Sequence, residues 1–483
     1  MSLPPVPPPS SLVTPLASPP PAVELPLRQI PGSYGWPLLG PLSDRLDYFW
    51  FQKPDSFFKT RMEKYKSSVF RTNLPPSFPF FANVNPNMIA VLDCKSFSHL
   101  FDMDLVEKKD VLVGEFMPSL AFTGNVRVGV YHDVTEPHHS KVKSFSMDIL
   151  KQGAGIWAPE VISNLDIMLD NMEAKLSESA SPSYIFPLQQ FLFTFLCKVL
   201  AGADTSHDPK IAESGFAMLN RWLAVQLLPT VSIGILQPLE EIFLHSFAYP
   251  FFLVSGDYNN IYNFVKQQGK EVIKRGVTEF GLSEEEAIHN LLFVLGFNAF
   301  GGFSVFLPSL INAIASDSTG LQEKLKKEVR EKGGSTLGFS SVKEMDLVQS
   351  VVYETLRLNP PVPLQYARAR KDFRLSSNDS AFQVKKGELL CGYQKLVMRD
   401  PAVFDEPDSF KPDRFTSEKG AQLLNYLYWS NGPQTGTPSV SNKQCAGKDI
   451  VTLTASLIVA HLFRRYDSIK GDASSITALQ KAK

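Results

Sequence analysis

The first residue to suggest chemistry is Cys445, a lone cysteine in the stretch "PSVSNKQCAGKDIVTLTASLIVAHLF" (residues 438–463), where a Pro/Gly/Ser-rich loop runs into a long apolar helix. Helix beginnings leave backbone N–H groups unsatisfied and carry a partial positive charge, so a cysteine placed there has its thiolate favoured. A thiolate is a nucleophile or a metal ligand, whereas most cysteines are small buried hydrophobes. None of the eight histidines is near it in sequence to serve as its base. A second candidate is the helical stretch "VKEMDLVQSVVYETLRLNP", where Glu354 and Arg357 form an i,i+3 pair. Leu347, Val351, Glu354 and Leu358 fall on one stripe, which turns the carboxylate toward the apolar side. Surface ion pairs explain most such patterns, but a buried charge demands partners, and Arg414 in "FKPDRF" is one. The third candidate is Asn298, the one strong hydrogen-bonding side chain in "GFNAFGG", flanked by Phe297 and Phe300. Its structural alternative is a helix-packing amide satisfied by a neighbouring carbonyl.

The elements that must position these residues belong to an ordinary folded chain. Its 483 residues are 44% hydrophobic and 20% charged, enough for several average domains or one large helical core. A net charge of −1 leaves no basic footprint for nucleic acid. The four cysteines are far apart, with no zinc spacing, and read as reduced thiols of a non-secreted protein. Ten of the first 30 residues are proline, so residues 1–29 are expected to be disordered. That segment is serine-containing and acid-poor like a plastid transit peptide, without the arginines, and it has no secretory h-region. The longest apolar run, residues 291–315, could span a bilayer, but Asn298, Gly301, Gly302, Ser304, Pro308 and Asn312 interrupt it and no basic clusters flank it. It is expected to be a buried central helix.

Residues 30–42 read as a turn-rich entry. "VFRTNL", "FPFFANV" and "MIAVLD" then read as short strands, broken by prolines and the turn "NPN". From about residue 136 to 332 the apolar spacing is helical; strand-like runs return in "QYARARKD" and "AFQVKKGELLCGY", and the final segment reads as helix. A mainly α body with minor β elements results.

In their order, Glu354/Arg357, "KPDRF" and a cysteine loop followed by a helix resemble the haem-thiolate superfamily, the cytochromes P-450. The resemblance implies one large domain, residues 30–483, holding haem b through the thiolate of Cys445, with Glu354, Arg357 and Arg414 locking the core behind it. The family's loop usually runs Phe-x-x-Gly-x-Arg-x-Cys-x-Gly. Here "WSNGPQTGTPSVSNKQCAG" inserts residues between Gly432 and Cys445 and places Lys443 where the arginine stands, as a propionate ligand. "DVTEPHHSKVK" is similar to the segment in which a histidine and a basic residue four later bind propionates, which implies His139 and Lys143.

Oxygen-activating members carry an acid–alcohol pair in the central helix, because cleaving bound dioxygen needs delivered protons. "GFNAFGGFS" has no acid. A neutral amide suits a substrate that already contains an O–O bond, and no reductase partner is then expected. The long cysteine loop and "GFNAFGG" resemble the plant hydroperoxide-metabolising branch, which contains allene oxide synthases, divinyl ether synthases and hydroperoxide lyases. Residues 227–258 look like the 13-hydroperoxide lyase subgroup. In "KKDVLVGEFMPS" the branch's allene oxide synthases usually carry an aromatic where this chain has Leu112, and its lyases a leucine.

The resemblance therefore implies cleavage of the 13-hydroperoxides of linolenic or linoleic acid, without O2 or NADPH, into a C6 aldehyde and a C12 oxo-acid. Asn298 would hold the hydroperoxide, and Leu112, Phe297 and Phe300 would line its pocket. The rivals are an allene oxide synthase, told apart by products, an O2-dependent monooxygenase, which would need a reductase, and a haem sensor without turnover. The resemblance also implies chloroplast location, with any membrane contact peripheral, near "LLPTVSIGIL".

Overall fold

A computed structural model describes residues 25–74, 84–232, 234, 240 and 243–482. Residues 1–24, most of "FPFFANV" and much of "SIGIL" lie outside the described residues. The sheet strands come from the two ends of the sequence. They are β1 (Leu27–Arg28), β2 (Val69–Asn73), β3 (Asn87–Val91), β4 (Val106–Glu107), β5 (Leu364–Ala369), β6 (Phe373–Ser376), β7 (Ala381–Val384) and β8 (Leu389–Tyr393). They form a five-stranded sheet of order β2-β3-β8-β5-β4 and a three-stranded sheet of order β1-β7-β6. β3 runs parallel to β8 with Ile89 opposite Leu390, and β5 runs antiparallel to β8 with Leu364 opposite Tyr393. β1 pairs with β7 through Leu27 and Arg28, so the end of the proline-rich segment is held in a sheet. The entry region is not only turns, since a helix begins at Leu39 (Leu39–Leu46).

The helical body fills the middle of the sequence. A 42-residue helix (Pro137–Glu178) packs on Ile185–Ala201, and one continuous helix, Glu284–Ala315, crosses the centre. Length and composition would let this central helix span a membrane, yet Leu295, Phe300, Phe303, Phe306, Leu307 and Leu310 are buried against protein. Its middle, Phe293–Phe300, is wound as a π-helix, a feature frequent at functional sites. The Glu354 helix spans Asp346–Leu358 and the helix after Cys445 spans Lys448–Arg465.

The C-terminal end departs from the expected helix. Tyr466–Gly471 (β9) and Ile476–Lys481 (β10) form an antiparallel hairpin. The turn residues "GDASS" interrupt helical spacing, and Tyr466 and Ile469, three apart, are both buried because the pairing slips by one residue between Ser468–Gln480 and Tyr466–Lys481.

Candidate functional site

The loop before the last helix carries Cys445. The Cys445 N–H donates to the Ser430 carbonyl at 2.8 Å, and its own carbonyl accepts from the Lys448 N–H at 3.2 Å, so the cysteine is fixed by backbone on both sides. Burial pushes the thiol above its ordinary range, while the Lys143 ammonium and the Gly447 N–H pull it back toward the thiolate. The inserted residues wrap the neighbouring Gln444. Its amide donates to the Pro433 carbonyl at 2.7 Å, and a Cβ added at Gly436 would come within 2.8 Å of its side-chain oxygen. Trp429 Nε1 donates to Gln434 Oε1 at 2.7 Å, and Lys448 Nζ to the Gln434 carbonyl at 2.6 Å. The long loop is therefore an ordered lining around the cysteine.

Behind it, Glu354 is fully buried between two guanidinium groups. Arg357 donates to it at 2.7 and 2.8 Å and Arg414 Nε at 3.0 Å to both oxygens, and the Lys411 N–H adds a further bond at 2.9 Å. The remaining donors of Arg357 reach the carbonyls of Met398, Pro407 and Ser409, and those of Arg414 reach Asp405, Glu406 and Ser409. The three residues tie the Asp346–Leu358 helix to the chain leading toward the cysteine loop.

A cluster of buried and half-buried basic side chains lies beside that loop. Lys143 donates to the Gln444 carbonyl, and Lys443 Nζ donates to the carbonyls of Gly129, Val130 and His132 at 3.0, 3.2 and 2.6 Å. His139 is 2% exposed and its Nδ1 has no hydrogen-bond partner. Burial with Lys443 and Lys143 nearby pushes His139 down to about 4. Burial and Lys143 push Lys443 down to about 8. Lys108 belongs to the same cluster, with Nζ 2.5 Å from Asn431 Oδ1, and burial beside Lys443 pushes it down to about 7. Nothing in the sequence marked Lys108, because "EKKD" reads as a solvated charge run. Of the nearby carboxylates, Asp133 is bound by Arg370 and Thr135, and Glu136 by Arg127 and the Asp133 N–H.

The central helix keeps one stripe open. Asn298 is exposed and its side chain makes no hydrogen bond to any described residue; a Cβ at Gly302 would meet nothing within 4 Å, and Val305 is 56% exposed. These positions are four and three apart, on one side of a helix on which Leu295, Phe300, Phe303, Phe306, Leu307 and Leu310 are buried. No acid lies on that stripe. Phe297 is half-buried, stacked on Phe293 with ring centroids 4.6 Å apart, whereas Phe300 is wholly buried in the core. Leu112 is half-buried against the main core, and its neighbours Val111 and Val113 pack on a second cluster.

The family model described as "Cytochrome P450" matches residues 316–477. The chain is 63% identical to linolenate hydroperoxide lyase, chloroplastic, of Arabidopsis thaliana over 99% of its own length and 98% of the relative's. It is likewise 63% identical to fatty acid hydroperoxide lyase, chloroplastic, of Solanum lycopersicum over 97% and 99%. Allene oxide synthase, chloroplastic, of Linum usitatissimum is 43% identical over 94% and 85%. The chain belongs to the cytochrome P450 family.

A P450 carries haem, and the residues present suit one. Buried Lys108, half-buried Lys143 and Lys443, and a buried histidine with a free Nδ1, with the adjacent carboxylates already engaged, are matched by the two propionates of a porphyrin. The open apolar stripe of the central helix suits its flat face. That stripe carries an amide, Asn298, and no acid.

Proposed function

We propose that the protein is a fatty acid hydroperoxide lyase that cleaves 13-hydroperoxides of linolenic and linoleic acid into a C6 aldehyde and a C12 oxo-acid, without O2, NADPH or a reductase partner. The observation that carries this is Asn298, exposed on the open stripe with its amide unengaged and no acid beside it. The 63% identity to proteins named hydroperoxide lyases supports it, and their names place the protein in the chloroplast. Haem b, when bound, supplies one-electron cleavage of the O–O bond, and Cys445 would hold its iron as thiolate. Lys108, Lys143, Lys443 and His139 would hold its propionates. Asn298 can donate to one hydroperoxide oxygen and accept from its O–H, orienting the bond to be broken. Leu112 and Phe297, apolar and half-buried, would line the pocket in this reading, and Leu112 offers the substrate's carbon radical no aromatic face at its position. The oxygen left on the substrate by O–O cleavage closes onto the neighbouring alkene carbon and then inserts between the two carbons, breaking the C–C bond and leaving an ether-type radical. The hydroxyl from the same O–O bond adds to that radical, and the hemiacetal so formed falls apart to the two carbonyl products. Purified protein incubated with 13-hydroperoxylinolenate in the absence of NADPH should yield the aldehyde and oxo-acid; ketols as main products would instead indicate an allene oxide synthase.

Asn298→Ala in the same assay is expected to retain full haem content and to lose about 10-fold or more in turnover, roughly 1.4 kcal/mol of transition-state stabilisation. A haem-replete variant with normal turnover would refute the role.

Membrane contact, in this reading, is peripheral and made by exposed apolar groups of two segments held together. Arg45 Nη2 donates to Ser246 Oγ at 3.1 Å, Phe49 stacks on His245 at 3.8 Å, and His245 Nε2 lies 2.6 Å from the Val231 carbonyl. Trp36 and Phe51, 80% and 69% exposed, flank one segment, and Val231, Phe243 and Phe247 flank the other. The combined Trp36→Ser and Phe51→Ser variant should lose about 10-fold or more in binding to galactolipid vesicles, since each aromatic buries roughly 1.5–3 kcal/mol. Equal sedimentation of variant and parent with the vesicles would remove the patch from this role.

A further inference from the structure

Leu112 sits in the middle of a short loop whose two ends are pinned by separate ion pairs. At the near end Asp110 has a left-handed backbone, φ +49°, and its N–H donates to the Tyr131 carbonyl at 3.1 Å. Its carboxylate accepts from Arg127 Nε at 3.1 Å and Nη2 at 2.9 Å, and Arg127 is itself held by Glu136 and the Tyr131 carbonyl. At the far end Gly114 is also left-handed, φ +60°, and a Cβ there would come within 2.6 Å of Met88 Cε. Next to it Glu115 accepts from Arg368 of β5 at 2.5 Å and from the Asn85 N–H at 2.9 Å. Val113 and Phe116 close the turn with paired backbone bonds of 3.3 and 3.0 Å. Between the pins the side chains alternate, Val111 and Val113 toward the second cluster and Leu112 toward the main core.

Val111 is buried but Leu112 and Val113 are only half-buried, so packing leaves the direction of Leu112 to be fixed by the two pins. We propose that Asp110–Arg127 and Glu115–Arg368 are positioning contacts that set the placement of Leu112 and, through it, the division of the substrate radical between cleavage and allene oxide. This rests on the reading of Leu112 given above. Neither pair touches the reacting atoms, and each is partly exposed, so each should act with the modest strength of a forked surface pair.

The test uses haem-replete full-length protein and 13-hydroperoxylinolenate, with the ratio of ketol to aldehyde read at equal turnover. Asp110→Asn keeps a residue that tolerates the left-handed backbone and Glu115→Gln keeps the shape, so both remove charge without removing the fold. Each should raise the ratio about 3-fold and the double variant about 10-fold, because the pins share no partner and their effects add. Arg221→Gln, which breaks the remote pair with Asp257, should leave the ratio unchanged, as should general destabilisation, which lowers the amount of enzyme but not its choice of product. Leu112→Phe is run beside them and should divert more flux than either pin. A ratio moved by Leu112→Phe but not by Asp110→Asn or Glu115→Gln overturns the pins and leaves the reading of Leu112 standing; a ratio unmoved by Leu112→Phe overturns that reading and the pins with it.

Discussion

Cys445→Ser is expected to abolish the thiolate-type spectrum of the reduced carbonyl complex and to lower hydroperoxide turnover by more than about 100-fold, beyond what loss of an outer-shell partner costs. The substitution isolates the sulfur. The contacts that fix the residue, its N–H to Ser430 and its carbonyl to Lys448, belong to the backbone and survive. What is lost is an ionisable soft ligand. Burial already pushes the Cys445 thiol upward and only Lys143, the Gly447 N–H and Lys448 oppose it; a serine hydroxyl, far more basic, stays protonated in the same place and offers iron a weak neutral oxygen. The measurement pairs haem content with the carbonyl difference spectrum of the purified variant. An unchanged spectrum would move the axial role to another residue. Haem bound without the thiolate signature would show that the basic cluster holds the cofactor by its propionates alone.

The buried Glu354–Arg357–Arg414 cluster was legible because its signals are local. Glu354 and Arg357 are three apart on one helix, and the apolar stripe around them required the charge to be buried and therefore paired. Arg414 was reachable by the same demand for a partner, and the structure supplies it at 3.0 Å. The strands from "VFRTNL", "MIAVLD" and "AFQVKKGELLCGY" were legible for the same reason, since alternation and turn residues are read within ten residues.

Non-local features escaped. Lys108 looks like any lysine in a charged run, and only the fold brings it to Asn431, 323 positions away. The π-winding of Phe293–Phe300 has no compositional mark, because an apolar helix reads alike with either hydrogen-bond spacing. Phe300 illustrates the consequence: counted from Asn298 it could line the same pocket, yet it is wholly buried in the core while Asn298 stands exposed. The C-terminal hairpin was missed because β9 follows the last helix without a break, Arg465 ending one and Tyr466 beginning the other. In "YDSIKG" the apolar Tyr466 and Ile469 are three apart, a spacing that continues the helical pattern before it and shows no period-2 alternation.

Glu354→Gln should cost about 3–5 kcal/mol of stability, the scale of removing one member of a buried ionic cluster. The carboxylate accepts bonds from Arg357, Arg414 and the Lys411 N–H on its two oxygens. Glutamine keeps the volume but only one acceptor, and its amide N–H groups would then face guanidinium N–H groups with no water to receive them. Arg357 is entirely buried and Arg414 is 9% exposed, so neither charge can turn to solvent. A surface pair such as Arg221–Asp257, with Arg221 more than half exposed, should cost no more than about 1 kcal/mol when broken. The difference is measurable as a lower denaturant midpoint for Glu354→Gln than for Arg221→Gln, and as poorer haem recovery, because the carbonyls held by Arg357 and Arg414 lie on the chain between the Glu354 helix and the cysteine loop. Equal midpoints for the two variants would mean that the backbone carbonyls around Arg357 and Arg414 suffice to hold both cations, and that the carboxylate is there for another purpose than locking the core.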